Sequence, residues 1–278
     1  MTRSLRVPCS YQGGKQRIAS QVVEILFDAC QDEHTRFYDL CCGSGAISIE
    51  LVNQGVDPSR ITMLDISSWG AFWQAIGSGA FDIGYFRRML DEIPENKREV
   101  KEHMSDLAKR PLNGEEAEIF PLLQAASFGG KQIWYDGEKW CNACFRDYWE
   151  PTETSVRRSP ANPMQPSPKE LYRRIALLVD GMQGVDCLRM DIHEFSNLPI
   201  SKNSVVYVDP PYRGTTGYAY GFDLESFIDR FHTINDVPLF VSEGLPLSEQ
   251  SIQLRLGGAK GGITGLRSGK RQEWLSRF

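Results

Sequence analysis

No stretch of the 278 residues is apolar for long enough to cross a bilayer, which takes roughly 20 consecutive apolar residues. The segment from Met1 to Pro8 lacks the apolar centre of a secretory signal. Seven cysteines, an odd number, show no regular spacing, so a disulfide framework is not expected. Reduced thiols in a cytoplasmic protein are the simplest reading, with no membrane partner. Internal repeats and long low-complexity tracts are missing, which argues against repeat arrays and disordered tails. Positive charge is in deficit: 31 Lys and Arg stand against 36 Asp and Glu, for a net charge of −5. That balance does not exclude a nucleic-acid partner, because binding depends on where the positive charge sits. Cys141-Asn142-Ala143-Cys144 is a lone CxxC without a second pair nearby, and a structural zinc needs four ligands, so no metal is expected.

The chain does hold an alternating pattern of strands and helices at its two ends. Ile18, Val22, Ile25 and Leu26 have helical spacing and predict a helix from about Lys15 to Cys30. Phe37 to Leu40 reads as a strand that runs into Cys41-Cys42-Gly43-Ser44-Gly45. A helix is expected from Ala46 to Asn53, and a second strand from Ile61 to Leu64, ending at Asp65. Strand, glycine turn, helix, strand is the start of a doubly wound α/β sheet. From about residue 68 to 166 this rhythm is lost. Charged helical stretches fill Glu95 to Lys109 and Glu115 to Gln124, and a hairpin turning at Asp136-Gly137 is expected between Gln132 and Phe145. The rhythm returns at Ser167-Pro168-Lys169-Glu170, which has the form of a capping box. Strands are expected at Val185 to Met190, ending at Asp191, at Val205 to Val208, ending at Asp209, and at Val237 to Ser242. Gln253 to Phe278 reads as a hairpin with a glycine-rich turn.

The strongest chemical signal is Asp209-Pro210-Pro211-Tyr212, directly after an apolar strand. In an open α/β sheet, ligands sit beyond the carboxyl ends of the strands, where these residues must lie. A carboxylate and a backbone carbonyl can accept hydrogen bonds from both N–H groups of an exocyclic amino group. Such contacts favour a more tetrahedral nitrogen and stabilise the charge that develops when it attacks an electrophile. Proline fixes φ and lacks a competing N–H, and Tyr212 offers a flat face to a base taken out of the stack. The plain alternative is a turn of ordinary turn residues. Asp39, Gly43 and Gly45 form a glycine turn where a backbone could approach a ligand closely, although the full GxGxxG pattern is missing. Asp65 follows about 20 residues on, where a carboxylate can bind ribose hydroxyls. Asp191 could meet the same ligand or could simply cap the short helix that follows. Tyr11-Gln12-Gly13-Gly14-Lys15, ahead of the first helix, offers an anion-friendly site or a plain loop.

Taken in order, Tyr11-Gln-Gly-Gly-Lys15, Asp39…Gly43-Ser-Gly45, Asp65 and Asp209-Pro-Pro-Tyr212 resemble the motifs of the Dam-type DNA adenine methyltransferases of bacteria and phages. The resemblance covers about Ser10 to Asp65 and Leu171 to Phe278, including Val241-Ser242-Glu243 and Arg271 to Leu275 as late strands. It departs at Leu40 and Cys41, where that family commonly has proline and phenylalanine. The resemblance implies a Rossmann-like methyltransferase sheet built from 1–67 and 167–278, with a mostly helical target-recognition domain inserted at 68–166. It implies S-adenosylmethionine held by Tyr11, Gly14, Lys15, Asp39, Gly43, Gly45, Asp65 and Asp191. It also implies adenine held by Asp209, Pro210, Pro211 and Tyr212, and double-stranded DNA as the partner of a monomeric enzyme. The segment 68–166 interleaves cationic and aromatic residues, and Lys131, Lys139, Arg146, Arg157 and Arg158 are the expected DNA contacts. Trp134, Trp140, Tyr148 and Trp149 could stack on bases or form a small core. Lys260, Arg267, Lys270 and Arg271 add positive charge near the end of the chain. Other acceptors, namely N4 of cytosine in DNA and N6 of adenine in RNA, use related motifs, and an inactive nucleic-acid-binding relative is a further alternative. Pro8-Cys9 precedes the glycine turn rather than following it, which argues against a cysteine nucleophile of the cytosine C5 type.

Overall fold

The computed structural model describes residues 4–212, 221–255 and 272–278. Lys260, Arg267, Lys270 and Arg271 lie outside the described residues. In chain order the elements are α1 (Ala19–Asp28), β1 (Arg36–Leu40), α2 (Ala46–Asn53), β2 (Ile61–Leu64), α3 (Ser68–Ser78), α4 (Ile83–Asp91), α5 (Val100–Leu107) and α6 (Glu116–Ala126). A two-stranded hairpin follows, β3 (Trp134–Tyr135) and β4 (Trp140–Cys141). The chain continues through α7 (Pro168–Gly181), β5 (Asp186–Leu188), α8 (Ile192–Phe195), β6 (Ser204–Val208), α9 (Leu224–Ile234), β7 (Leu239–Glu243), β8 (Ser251–Gln253) and β9 (Trp274–Arg277).

Seven strands form one sheet in the order β5-β2-β1-β6-β7-β9-β8. From β5 to β7 every pairing is parallel, and β9 pairs antiparallel with both β7 and β8. The chain winds outward from β1 to β2 and β5, then returns to β6 on the other side of β1 and continues to β7. This is a mixed α/β fold with a mostly parallel central sheet, compatible with a doubly wound, Rossmann-like arrangement. The point where the strand order reverses lies between β1 and β6.

Strand residues alternate between two cores, as the period of two requires. Phe37, Ile61, Met63, Val205, Tyr207 and Phe240 face the core filled by α1, α2, α3 and α7. Leu40, Leu64, Val206, Val208, Leu239 and Val241 face a smaller core closed by Ile192 and Phe195 of α8 and by Leu224, Phe227 and Phe231 of α9. All five residues of β6 are buried, because both faces are covered.

Several sequence expectations need correction. The first helix begins at Ala19, not Lys15, so Gly13 and Gly14 do not form its N-terminus. Helices α3, α4 and α9 are additional to the expected elements, although Trp69, Phe72, Trp73 and Ile76, and likewise Leu224, Phe227 and Phe231, have helical spacing. The capping box at α7 does not close. Ser167 makes no side-chain cap, and Glu170 instead holds Arg173 at 2.7 and 2.8 Å and Arg174 at 2.8 Å. A carboxylate between two guanidinium groups gains more than it would from one backbone N–H. Strand β5 stops at Leu188, so Asp191 begins the next helix rather than ending a strand.

Helices α3 to α6 fill fewer than half of the residues of 68–166, so the segment is less helical than expected, and it carries the hairpin at Asp136-Gly137. Its apolar residues do not form a separate core. Phe72, Trp73, Ile76, Phe86, Met104, Phe120 and Leu123 belong to the same continuous cluster as Val22 and Ile47 of the α/β part.

Candidate active site

Strands β1 and β6 lie side by side, and the Asp209 backbone N–H donates to the Leu40 carbonyl at 3.1 Å. The glycine turn after β1 and the Asp209-Pro210-Pro211-Tyr212 segment after β6 therefore leave the sheet together, at the strand-order reversal. The Tyr11–Lys15 turn reaches the same place. The Lys15 ammonium lies 2.6 Å from Asp209 Oδ1, 3.6 Å from Glu273 Oε1 and 3.2 Å from the Gly13 carbonyl. It also stands 4.6 Å from the centre of the Tyr212 ring. Lys15 is only 8% exposed, so this is a buried charge held by its partners rather than a surface lysine. The Tyr212 hydroxyl donates to Glu273 Oε1.

Glu273 was not picked out by the sequence, although its segment was recognised as a late strand. Its position follows from topology. Strand β9 runs antiparallel to β7, so the residue just before its start lies at the carboxyl ends of the parallel strands. Glu243, buried at the end of β7, reaches the same edge and accepts from the Gly244 N–H at 2.7 Å. Burial pushes the Asp209 carboxyl up to about 6. Lys15 opposes that rise, while Glu273 and Glu243 add to it.

The expected cofactor residues gather around the glycine turn. The Cys41 thiol is raised well above its usual range by burial, and then by Asp65, Asp209, Asp39 and Asp191. Four acidic residues that are far apart in sequence thus act on one thiol of the turn. Their roles differ. Asp65 Oδ2 accepts from the Gly43 N–H at 2.9 Å, and its Oδ1 accepts from Ser67 N at 2.9 Å and Ser67 Oγ at 2.6 Å. It ties the end of β2 to the glycine turn and to the start of α3. Asp191 caps α8, accepting from His193 N at 2.7 Å.

The glycines of the turn serve close aromatic packing. A Cβ on Gly43 would lie 2.8 Å from the Tyr11 ring, and one on Gly45, at φ 71°, would lie 2.4 Å from the Trp73 ring. The Trp73 indole N–H donates to the Gly43 carbonyl at 2.8 Å. Gly14 stacks closely on its own turn, with its N–H donating to the Tyr11 carbonyl at 3.1 Å. Trp73 and Ser67 carried no legible signal, because their partners are distant in sequence.

Asp39 is 2% exposed, and its Oδ2 accepts from Ser48 N at 3.2 Å and Ser48 Oγ at 2.7 Å. The carboxylate supports α2 from below the turn. Burial pushes its carboxyl up to about 7, the Ser48 bonds oppose this, and Asp209 and Asp65 add to it. A carboxyl whose pKa is higher when folded than when unfolded binds its proton more tightly in the folded state. Its ionisation therefore removes stability as pH rises from about 4 to about 7. Asp39→Asn keeps an acceptor for Ser48 and is expected to flatten this decline, by at most about 4 kcal/mol for a shift of this size. Urea unfolding midpoints of the two proteins between pH 5 and 8 check this. An identical pH dependence would refute it.

The expected DNA contacts are spread over one stretch of loops. Lys131 and Lys139 are exposed. Arg146 is half-buried, and it donates to the Ser127 carbonyl at 3.2 Å. Arg157 and Arg158 donate to the Pro160 and Glu153 carbonyls, at 3.0 and 3.1 Å. Trp140 is buried against Phe120, with ring centres 6.3 Å apart and planes 12° apart, so it belongs to the core. Trp149 is exposed, and Trp134 and Tyr148 are partly so. The Ser127–Lys131 loop docks on the Tyr11 turn: the Gln12 N–H donates to the Gly130 carbonyl at 2.8 Å. Exposed Phe128 and Lys131 thereby stand beside the candidate site.

All seven cysteines are free. Cys9 is fully buried, and burial pushes its thiol up to about 12, which makes it a poor nucleophile. Cys141 donates its thiol to Asp136 at 3.1 Å. Among the described residues, no group of His, Cys, Asp and Glu could hold a metal ion, and no helix is long and apolar enough to cross a membrane. No protein-family model matches the chain, and no curated protein matches it significantly.

Proposed function

We propose that the protein transfers a methyl group from S-adenosylmethionine to N6 of an adenine flipped out of double-stranded DNA. The observation that carries this reading is the convergence of Tyr11–Lys15, Gly43–Gly45 and Asp209–Tyr212 at the reversal point between β1 and β6, with Lys15 bonded to Asp209. The mostly parallel sheet is read as a Rossmann-like methyltransferase sheet, and 68–166 as the segment that meets DNA.

The residues present suit the cofactor. Asp39, Asp65, Asp191 and Asp209 all act electrostatically on Cys41 of the glycine turn, and Glu243 and Glu273 act on Asp209. Such surroundings favour a sulfonium cation. Asp65 after β2 and Asp191 at the start of α8 would hold the nucleoside part, and Tyr11 with the glycine turn would hold the methionine part. When bound, the cofactor would supply an electrophilic methyl group: the N6–carbon bond would form as the carbon–sulfur bond breaks, the electron pair would stay on sulfur, and the proton released from N6 would pass to water.

The protein's own contribution is orientation and charge. Asp209 accepts one N–H of the adenine amino group and the Pro210 carbonyl accepts the other. Both acceptors are fixed by the end of a fully buried strand. Positive charge grows on N6 during attack, so a carboxylate that hardly moves stabilises the transition state more than the ground state. Tyr212 stacks on the extruded base. Transfer is direct, without a covalent enzyme intermediate, in keeping with the buried Cys9.

The test is incubation of DNA and RNA with labelled methyl donor, followed by mass spectrometry of the nucleosides. N6-methyladenine in DNA is expected. N4-methylcytosine, label confined to RNA, or no label at all would overturn the assignment. Replacing Arg157 and Arg158 with alanine is expected to weaken DNA binding and to flatten its salt dependence by about one unit of log–log slope per lost phosphate contact. Binding titrations at several salt concentrations check this, and unchanged slopes would remove both arginines from the interface.

A further inference from the structure

Lys15 stands between two carboxylates, 2.6 Å from Asp209 and 3.6 Å from Glu273. We infer that Glu273 is a positioning residue that takes over the Lys15 ammonium when an adenine amino group occupies Asp209. The inference rests on the activity proposed above and extends it to a residue of the late-strand segment that was given no role in it.

The geometry makes the exchange short. Asp209 Oδ1 is engaged by the ammonium at 2.6 Å, and the amino group of an incoming base needs acceptor capacity on that same carboxylate. Glu273 Oε1 is already 3.6 Å from the ammonium, so a displacement of about 1 Å completes the transfer. Without such a neighbour, lifting Lys15 off Asp209 would leave a buried cation without a carboxylate, which is costly. The ammonium would then compete with the substrate. Both side chains are buried, and Tyr212 also bonds to Glu273, so the exchange is coupled to the ring that stacks on the base. The Lys15 ammonium above the Tyr212 ring keeps a favourable cation–π contact in either position.

The experiment is a double-variant cycle with Glu273→Gln, Lys15→Met and both together. The readout is the single-turnover rate of methyl transfer to duplex DNA, with thermal unfolding followed in parallel. Glu273→Gln alone is expected to slow transfer at least 10-fold. In the Lys15→Met background the same change is expected to cost less than 2-fold, because there is no ammonium left to relocate. An equal cost in both backgrounds would overturn the inference. If Glu273→Gln does not fold, Glu273→Asp replaces it in the same cycle, since it keeps the charge but shortens the reach, and the same criterion applies.

A second readout needs no ligand. Lys15, Glu273 and Glu243 are the charges that set Asp209, and Asp39, Tyr207 and Tyr212 also sense its charge. Removing the Glu273 charge is expected to move the Asp209 carboxyl titration, followed by carbon NMR, to lower pH. Removing Lys15 is expected to move it higher. A Glu273→Gln protein with an unmoved Asp209 titration contradicts the sharing of the ammonium. A wild-type protein that methylates, with additive variants, overturns this inference alone. A wild type that transfers nothing overturns the activity beneath it.

Discussion

Asp209→Ala is expected to lower the single-turnover rate of methyl transfer by roughly 100-fold or more, with S-adenosylmethionine affinity changed less than 3-fold. The asymmetry follows from where the side chain sits. Asp209 leaves β6 at the reversal point, its backbone N–H is locked to Leu40, and its carboxylate faces Lys15 rather than the Asp65–Ser67 side of the glycine turn. Loss of the carboxylate leaves Lys15 with Glu273 at 3.6 Å, so the buried cation keeps a partner and the fold is expected to survive. Asp209→Asn is the sharper comparison, because it keeps one acceptor but loses the charge. The ionised form is the competent one, and burial places the Asp209 carboxyl at about 6. The wild-type rate is therefore expected to fall as pH drops below about 6, and the same limb is expected to be absent in Asp209→Asn. A folded Asp209→Ala protein that methylates at near wild-type rate would show that the reacting centre lies elsewhere.

How much of this was legible in the sequence depended on the range of the signal. The βα units were legible because each one is local. Ala46–Asn53 and Ile61–Leu64 match the expected spans, and a fully buried strand such as Ser204–Val208 reads as a run of apolar residues. The ends of elements were less legible where two partners competed for one group, as Glu170 shows by choosing two arginines over a helix N-terminus. The site was half legible. Asp209 and Lys15 could each be named from a motif, but their ion pair joins residues almost 200 positions apart, and no local pattern encodes it. Glu273 is the extreme case: its role exists only because an antiparallel strand starts at the edge where parallel strands end. The limits of the α/β part were also hidden. Helix α3 follows β2 after a short turn, and its Trp69, Phe72, Trp73 and Ile76 have the spacing of one helix face, but a helical pattern does not say to which side of a domain boundary the helix belongs.

The second large effect concerns that helix. Gly70→Ala and Gly77→Ala are each expected to destabilise the protein by about 3 kcal/mol, a fall in melting temperature of roughly 6–12 °C for a domain of this size. Both glycines lie on one face of α3, two turns apart. A Cβ on Gly70 would stand 2.1 Å from the Asp65 carbonyl oxygen, and one on Gly77 would stand 2.0 Å from the Val185 carbonyl oxygen. These are backbone atoms, which cannot step aside as a side chain can. The Gly77 carbonyl also accepts from the Gly184 N–H at 2.9 Å, which fixes the helix to the entry of β5. An added methyl group must therefore push α3 off the sheet, and it would move Trp73 away from Gly43 and disturb Asp65, which holds the glycine turn through Gly43 N–H. Cofactor affinity is expected to fall along with stability. Gly221→Ala is the control, with no atom of the described residues within 4 Å of its added Cβ, and a change within about 0.5 kcal/mol is expected. If α3 instead belonged to a module that docks loosely on the sheet, Gly70→Ala and Gly77→Ala would gain helix propensity and melt no lower than wild type. Thermal unfolding of the three variants separates these outcomes. A fall confined to the two α3 positions would place the structural boundary of the inserted segment after Ser78, with the helix bracing the glycine turn from within the α/β core.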